Sequence, residues 1–176
     1  RRSLPYWESC ATKLLHEGID ISAYPMLGNF LMLFYTLKGD LEKASAMYRS
    51  VSRAVRSAAD NPVLVVVGKA IEAYYWWFSG SREKSLQAVH EGLAAANSTG
   101  LHLWDQMFSA IGAYNMLAAG DHLGAETYLR GMESMLDPRR LLDVTHFHYN
   151  LSWSAVLSGD LVRAREQGGL FMRVID

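Results

Sequence analysis

The sequence predicts an all-α fold of consecutive helical hairpins, because one short signature recurs along the chain at nearly constant spacing. The signature is a glycine followed by Asp or Ser, and its four copies begin at Gly39, Gly80, Gly120 and Gly159. These signature glycines are separated by 41, 40 and 39 residues. Five residues after each of them stands a small side chain, namely Ala44, Ser85, Ala125 or Ala164. A period of about 20–50 residues is typical of repeat proteins, whose units bury their apolar faces against one another.

A change of composition at each signature glycine places one helix before it and another after it. The preceding segments, about 24–38, 62–79, 103–119 and 138–158, are apolar and aromatic, whereas the following ones are more charged. After Gly39 the apolar residues have the spacing of an amphipathic helix: Ala44, Met47, Tyr48, Val51 and Val55. We therefore predict a single array over residues 1–176, with a leading helix at 4–17 and hairpins at about 24–57, 62–97, 103–136 and 138–175. That array has nine helices.

One segment has a local preference that conflicts with this assignment. Residues 63–67 read Val-Leu-Val-Val-Val, a run that β-propensity alone assigns to a strand. Its position in the repeat predicts a helix instead, because tertiary context overrides weak local preferences.

The residues at the turns match the stereochemistry of helix ends. Glycine ends a helix in the left-handed conformation at little cost, and a following Asp or Ser can cap the next helix. Pro62 and Pro138 are each expected in a first helical turn, where the missing N–H does no harm. Helices joined by so short a turn approach closely, which explains the small residue just inside the second helix. Four residues before the signature glycines stand side chains expected to fill the hairpin interior: Tyr35, Trp76, Met116 and the smaller Ala155.

Composition restricts the class of protein and its partners. The chain has 176 residues and a net charge of −1, so it lacks the basic surplus typical of proteins that bind nucleic acid or acidic membranes. Cys10 is the only cysteine, which excludes an intrachain disulfide and favours a reducing, cytoplasmic environment. The longest apolar stretch, 62–78, is interrupted by Lys69 and Glu72 and is too short to cross a bilayer. Because the chain starts at Arg1 and ends within a helix-like segment, we expect it to be a piece of a larger protein.

The turn and its surroundings resemble those of tetratricopeptide (TPR) repeats. The shared pattern is Gly-Asp-x-x-x-Ala, with a bulky residue four positions before the glycine and another nine after it, such as Tyr48, Val89 or Leu129. The period of about 40 exceeds the standard 34 residues. In this respect, and in residues 99–105, the chain resembles the TPR-like region of the maltose-activator (MalT-like) branch of LuxR-type bacterial regulators. The resemblance implies a right-handed superhelix in which the first helix of each hairpin lines a concave groove.

Carried over by register, the resemblance places a set of mostly aromatic residues on the wall of that groove. We call these the groove residues: Asn29, Leu33, Tyr74, Trp77, Tyr114, His146, Tyr149 and Trp153. Aromatic rings with a polar atom are common anchors for peptides and small ligands. An aromatic stripe at helical spacing is also typical of a core, so these rings could instead fill the interior.

Other candidate sites are weaker. His146 and His148 are two residues apart and point to different faces of a helix, so we predict no metal site. Arg49, Arg53 and Arg56 form a basic stripe that is best explained as a solvated outer face, without direct nucleic-acid binding. Nucleophile-elbow, Walker A and dinucleotide-binding glycine motifs are absent, so we expect neither an enzyme nor a cofactor.

The predicted function is that of a ligand- or protein-binding module in a cytoplasmic bacterial regulator. A peptide, a protein or a small-molecule inducer would bind in the groove and alter the curvature or self-association of the array. That change would reach an effector domain elsewhere in the protein, such as a DNA-binding domain. The alternatives are a passive protein–protein scaffold and an accessory domain packed against a catalytic neighbour. Apolar faces at the two ends of the array further predict self-association, for instance as a two-fold dimer.

Overall fold

The computed structural model describes residues 25–58 and 60–175, together with the isolated positions Ser9 and Lys13. The described part is all-helical and contains no strand, as predicted. Its eight α-helices are α1 (Pro25–Leu37), α2 (Leu41–Ser57), α3 (Pro62–Phe78), α4 (Arg82–Thr99), α5 (Asp105–Ala118), α6 (His122–Ser134), α7 (Leu141–Leu157) and α8 (Leu161–Ile175). A short 3₁₀ turn, His102–Trp104, precedes α5. The predicted leading helix at 4–17 lies outside the described residues.

The helices pack as four successive hairpins. The most extensive contacts join α1 with α2, α3 with α4, α5 with α6, and α7 with α8. Each hairpin also packs on the next one along the chain, and the first helices follow one another in a row, α1 against α3, α3 against α5, and α5 against α7. The valine-rich run at 63–67 lies within α3, so its position in the repeat does override its strand preference. None of the described helices combines the length and apolarity needed to cross a membrane.

A left-handed glycine ends the first helix of every hairpin. The signature glycines have φ values of 78°, 76°, 74° and 80° in chain order. At each turn the residue after the glycine donates its N–H to a carbonyl four positions before the glycine, at 2.9–3.0 Å. The four acceptor carbonyls belong to Tyr35, Trp76, Met116 and Ala155. The glycine N–H donates to the carbonyl three residues before it. This pair of bonds is the Schellman motif, which satisfies carbonyls left free at a helix end.

Side-chain caps follow three of the four turns. Asp40, Asp121 and Asp160 accept hydrogen bonds from the backbone N–H three residues later, at 3.2, 2.7 and 3.0 Å. The predicted cap by Ser81 is wrong, because its side chain makes no such bond. Its backbone dihedrals match those of Asp121. The difference therefore does not come from the backbone of the capping residue.

The turn before α7 also differs from the prediction. Pro138 lies in a turn, and the helix begins only at Leu141. The Asp137 carboxylate explains the delay, since it accepts from the backbone N–H of Arg139 at 2.9 Å and also binds the Arg139 guanidinium. This local turn competes with helix formation. Pro62, in contrast, occupies the first turn of α3 as predicted.

The small residues after the turns lie at the helix–helix contacts. Ala44, Ser85 and Ala125 are at most 2% exposed, and Ala164 is 8% exposed. The Ser85 hydroxyl crosses the hairpin and donates to the Ala73 carbonyl at 2.9 Å. The prediction that the side chains four residues before the signature glycines fill the hairpin interior is only partly correct. Tyr35 and Ala155 are buried, whereas Trp76 and Met116 are half-buried at the surface.

Replacing the small residue at a turn is expected to destabilise the protein. Ala125→Leu would force a larger side chain into a fully buried position and lower the free energy of unfolding by about 1–3 kcal/mol. Ala118→Leu is the matched control, because Ala118 is exposed near the end of the paired helix. Chemical denaturation measures both changes. Equal stabilities for the two variants would contradict the close helix approach at Ala125.

Two glycines with open space around them are expected to respond oppositely to alanine. A Cβ at Gly120 or at Gly169 would meet no atom within 4 Å, so only the backbone conformation differs. Gly120→Ala should cost about 1–2 kcal/mol, because φ is positive there. Gly169→Ala, within α8, should add up to about 1 kcal/mol. Thermal unfolding of the two variants checks this difference, and a stabilising Gly120→Ala would contradict it.

Candidate ligand-binding groove

A cavity of about 470 Å³ lies along the row of first helices. All eight groove residues line it, as do six further residues that the register argument missed: Phe30, Leu37, Phe78, Trp104, Met107 and Leu142. Helical spacing could have found half of the six, since Leu37, Phe78 and Leu142 each lie four positions from a groove residue. The structure therefore brings the groove residues together. That they bind a ligand stays a prediction.

The groove residues occupy equivalent positions in the four hairpins. The residues six positions before the signature glycines all line the cavity, and they are Leu33, Tyr74, Tyr114 and Trp153. Because every first helix ends in the same left-handed turn, these side chains lie at matching heights in adjacent helices. One cavity thus receives side chains from all four repeats.

Aromatic rings from three helices form a continuous run through the cavity wall. The rings of Trp77 and Tyr114 lie nearly parallel, with centroids 5.8 Å apart and an interplanar angle of 25°. Tyr114 meets Tyr149 edge to face at 5.8 Å, and Tyr149 meets Trp153 in the same way at 6.0 Å. Such pairs add stability beyond the burial of their area, so the rings restrict one another's orientation.

The cavity has a buried floor and an exposed rim. Tyr74 is 7% exposed and also belongs to the hydrophobic core, while Phe30 and Tyr149 are 50% and 42% exposed. The two alternatives for the aromatic groove residues, a groove wall and a hydrophobic core, therefore do not exclude each other. One side of the row packs inward, and the other faces the cavity.

Two polar atoms in the cavity lining are buried without a hydrogen-bond partner among the described residues. They are Oδ1 of Asn29, on α1, and Nδ1 of His146, on α7. Asn29 is only 4% exposed. Buried polar groups are nearly always paired, because an unpaired one loses its hydration without replacement. Both atoms are covered by the surrounding protein, so they are unpaired polar atoms beside the cavity and not contact points within it.

The described residues of the cavity lining include no charged side chain. None of them is Lys, Arg, Asp or Glu. Burial lowers the pKa of His146 to about 4, so its imidazole is neutral at pH 7. Burial likewise raises the pKa of Tyr74 and of Tyr114, whose phenols stay protonated. Within the described residues, the lining offers aromatic surface and hydrogen-bonding groups but no counter-ion.

The other candidate side chains lie away from this cavity. Arg49, Arg53 and Arg56 are exposed on α2, as expected of a solvated face. His148 bonds to Gln167 at 2.8 Å and so does not join His146. Within residues 25–58 and 60–175 there is no group of three His, Cys, Asp or Glu side chains that could hold a metal ion.

Comparisons with protein-family models, with curated proteins and with solved structures find no match to this chain. The resemblance to TPR-like regulators therefore stays a prediction, based on the repeated turn and its period. The function must be argued from the geometry of the cavity.

The buried His146 is expected to make stability depend on pH. Its pKa is about 4 in the folded protein and 6.5 ordinarily, so between these values the unfolded chain binds a proton that the folded chain does not. The free energy of unfolding should therefore fall by about 1–3 kcal/mol as the pH decreases from 6.5 to 4. His146→Phe removes this contribution. Denaturation at several pH values checks the difference, and parallel curves for the two proteins would contradict it.

Proposed function

We propose that this chain is a non-catalytic, ligand-binding regulatory module of a bacterial signalling protein, built as a right-handed TPR-like superhelix. The observation that carries the proposal is a single cavity lined by equivalent positions of four successive hairpins. The superhelix is supported by hairpins that pack in chain order and by first helices that follow one another in a row. The cytoplasm is the proposed location, and the groove is the proposed site for a small-molecule inducer or a peptide.

The proposed mechanism follows from how the cavity is shared. A molecule in it contacts α1, α3, α5 and α7 together, so its affinity depends on how the hairpins are oriented. Binding would favour one curvature or one state of self-association. A ligand shifts such an equilibrium only by its difference in affinity for the two states. The favoured state would then act on an effector domain, such as a DNA-binding domain.

The chemistry of the lining favours binding over catalysis. Among the described residues, the lining provides no carboxylate, amine or thiol, and Nδ1 of the neutral His146 has no hydrogen-bond partner. A general acid–base or nucleophilic mechanism needs such groups within hydrogen-bond reach of each other. A binding module needs only shape, apolar surface and a few placed polar atoms.

A protein-interaction scaffold is the second candidate, and the last helix favours it. α8 exposes Leu161 and Val162 by 69% and 83%, and Met172 by 49%. Apolar residues exposed on one helix are typical of a surface that contacts another protein. A second copy of this chain is the simplest partner, so light scattering over a range of concentrations tests for the dimer.

Truncation of the exposed rings is expected to abolish ligand binding while the fold is kept. We propose Phe30→Ala combined with Tyr149→Ala, because both rings line the cavity and are about half exposed. Thermal unfolding against a panel of metabolites and short peptides should identify compounds that stabilise the wild type. A ligand at about one hundred times its Kd adds about 2.7 kcal/mol.

The double variant should lose that stabilisation. Leu41→Ala is the control, since Leu41 is 60% exposed but lies outside the cavity. Stabilisation of the double variant equal to that of the control would place the binding site elsewhere and contradict the proposal.

A further inference from the structure

We infer that a second cavity, formed by α6, α7 and α8, binds a small aromatic molecule of about the size of indole, with its ring beside the guanidinium of Arg163. This α6–α8 cavity has a volume of about 220 Å³, and none of its lining residues belongs to the groove. The inference is therefore independent of the proposed function. It rests on a comparison of equivalent positions in the four hairpins.

The first two hairpins each place a lysine over an aromatic ring. The ring stands four residues before the signature glycine, and the lysine stands four residues after it. In the first hairpin, Lys43 Nζ lies 5.5 Å from the ring centroid of Tyr35. In the second, Lys84 Nζ lies 4.2 Å from that of Trp76. Both distances are within the range of about 6 Å over which a cation is attracted to a ring, so the pair is a repeated feature of the hairpin.

The fourth hairpin has the cation of this pair but not the ring. Arg163 stands at the position of the lysines, whereas Ala155 stands at the position of the rings. The third hairpin has neither group, with Met116 and Gly124 at the two positions. Arg163 and Ala155 both line the α6–α8 cavity. The cavity therefore lies where the first two hairpins hold a ring.

The neighbours of the Trp76 ring also have counterparts in the lining. The Trp76 ring meets Tyr48 and Tyr75 edge to face, with centroids 5.7 and 4.9 Å apart. The equivalent residues around the fourth hairpin are Leu129 and Ser154, and both line the cavity. Each of these side chains is smaller than its aromatic counterpart. Together they open the space that aromatic rings fill in the second hairpin.

The size and the charges of the α6–α8 cavity favour a small molecule without net charge. Its volume of about 220 Å³ is below the range of about 300–1,000 Å³ that is typical of sites for drug-sized ligands, so it suits one ring system. The lining includes two acidic and two basic side chains, namely Glu126, Glu133, Arg130 and Arg163. Binding therefore needs no net charge on the ligand. A guanidinium stacks well on the face of an aromatic ring, which suits Arg163 to this role.

Ala155→Trp tests whether the cavity can hold a ring. The introduced indole should occupy the cavity, so the melting temperature should equal or exceed that of the wild type. Ala125→Trp is the matched control, because Ala125 is fully buried and lies outside the cavity lining. This control should lower the melting temperature by overpacking. An equal fall in both variants would show that the space is already occupied and would overturn the inference.

Fluorine NMR of 5-fluoroindole tests binding directly. The wild type should bind it at a site from which unlabelled indole displaces it, and Ala155→Trp should remove that site. Arg163→Gln should weaken binding by about two- to fivefold, the equivalent of an exposed cation–π contact. Arg163→Lys should retain it, since lysine makes this contact in the first two hairpins. Equal affinities for the wild type and Arg163→Gln would overturn the role of Arg163.

The outcomes also separate the α6–α8 cavity from the groove. Phe30→Ala combined with Tyr149→Ala changes only groove residues, so it should leave the site removed by Ala155→Trp intact. Binding that is lost in this double variant but kept in Ala155→Trp would place the ring in the groove. That result would overturn the inference and support the proposed function. Absence of binding to the wild type would also overturn the inference, and this measurement holds even if Ala155→Trp does not fold.

Discussion

The left-handed glycine turn is the constraint on which the rest of the fold depends. It ends each first helix at a defined residue, because the residue after the glycine must donate its N–H to the carbonyl four positions before the glycine. The second helix then starts at once, and a residue as small as Ala125 lets the two helices meet. Residues at a fixed distance before the glycine consequently lie at the same level in every hairpin. The alignment of Leu33, Tyr74 and Tyr114 along one cavity is a product of turn geometry.

The cavity lining is one of the places where buried polar atoms have no hydrogen-bond partner among the described residues; Gln106 and Asn115 hold others outside it. Asn29 and His146 each hold such an atom, and both positions would be better filled by apolar side chains if packing were their only role. Local departures of this kind are expected at functional sites and are offset elsewhere in the structure. Here the offset comes from the core, where Met32, Phe108 and Ile111 are fully buried. The stability of the hairpins thus permits unpaired polar atoms beside the proposed binding cavity.

The sequence predicted the hairpins well, because glycine conformation and helix capping are local properties. The period identified the helices even at 63–67, where propensity indicated a strand. Local reasoning failed where a side chain had a competing option, as when Asp137 bound the N–H of Arg139 and delayed α7. It predicted which residues share a wall but not which atoms lack partners. The state of Asn29 Oδ1 depends on packing among helices far apart in sequence, and no local pattern contains that information.

The arrangement of the hairpins indicates how a small molecule could act on the whole array. α1 and α7 both line the cavity, and among the described helices a chain of contacts links them, from α1 to α3, α5 and α7. Changes in the angle between neighbouring helices at these three contacts add up along the array. The distance from α1 to α7 across the cavity therefore depends on the sum of the three changes. The rings of Trp77, Tyr114 and Tyr149 pack against one another along this wall. A molecule held in the cavity between α1 and α7 would therefore favour one set of angles, which is the differential affinity that the proposed regulatory role requires.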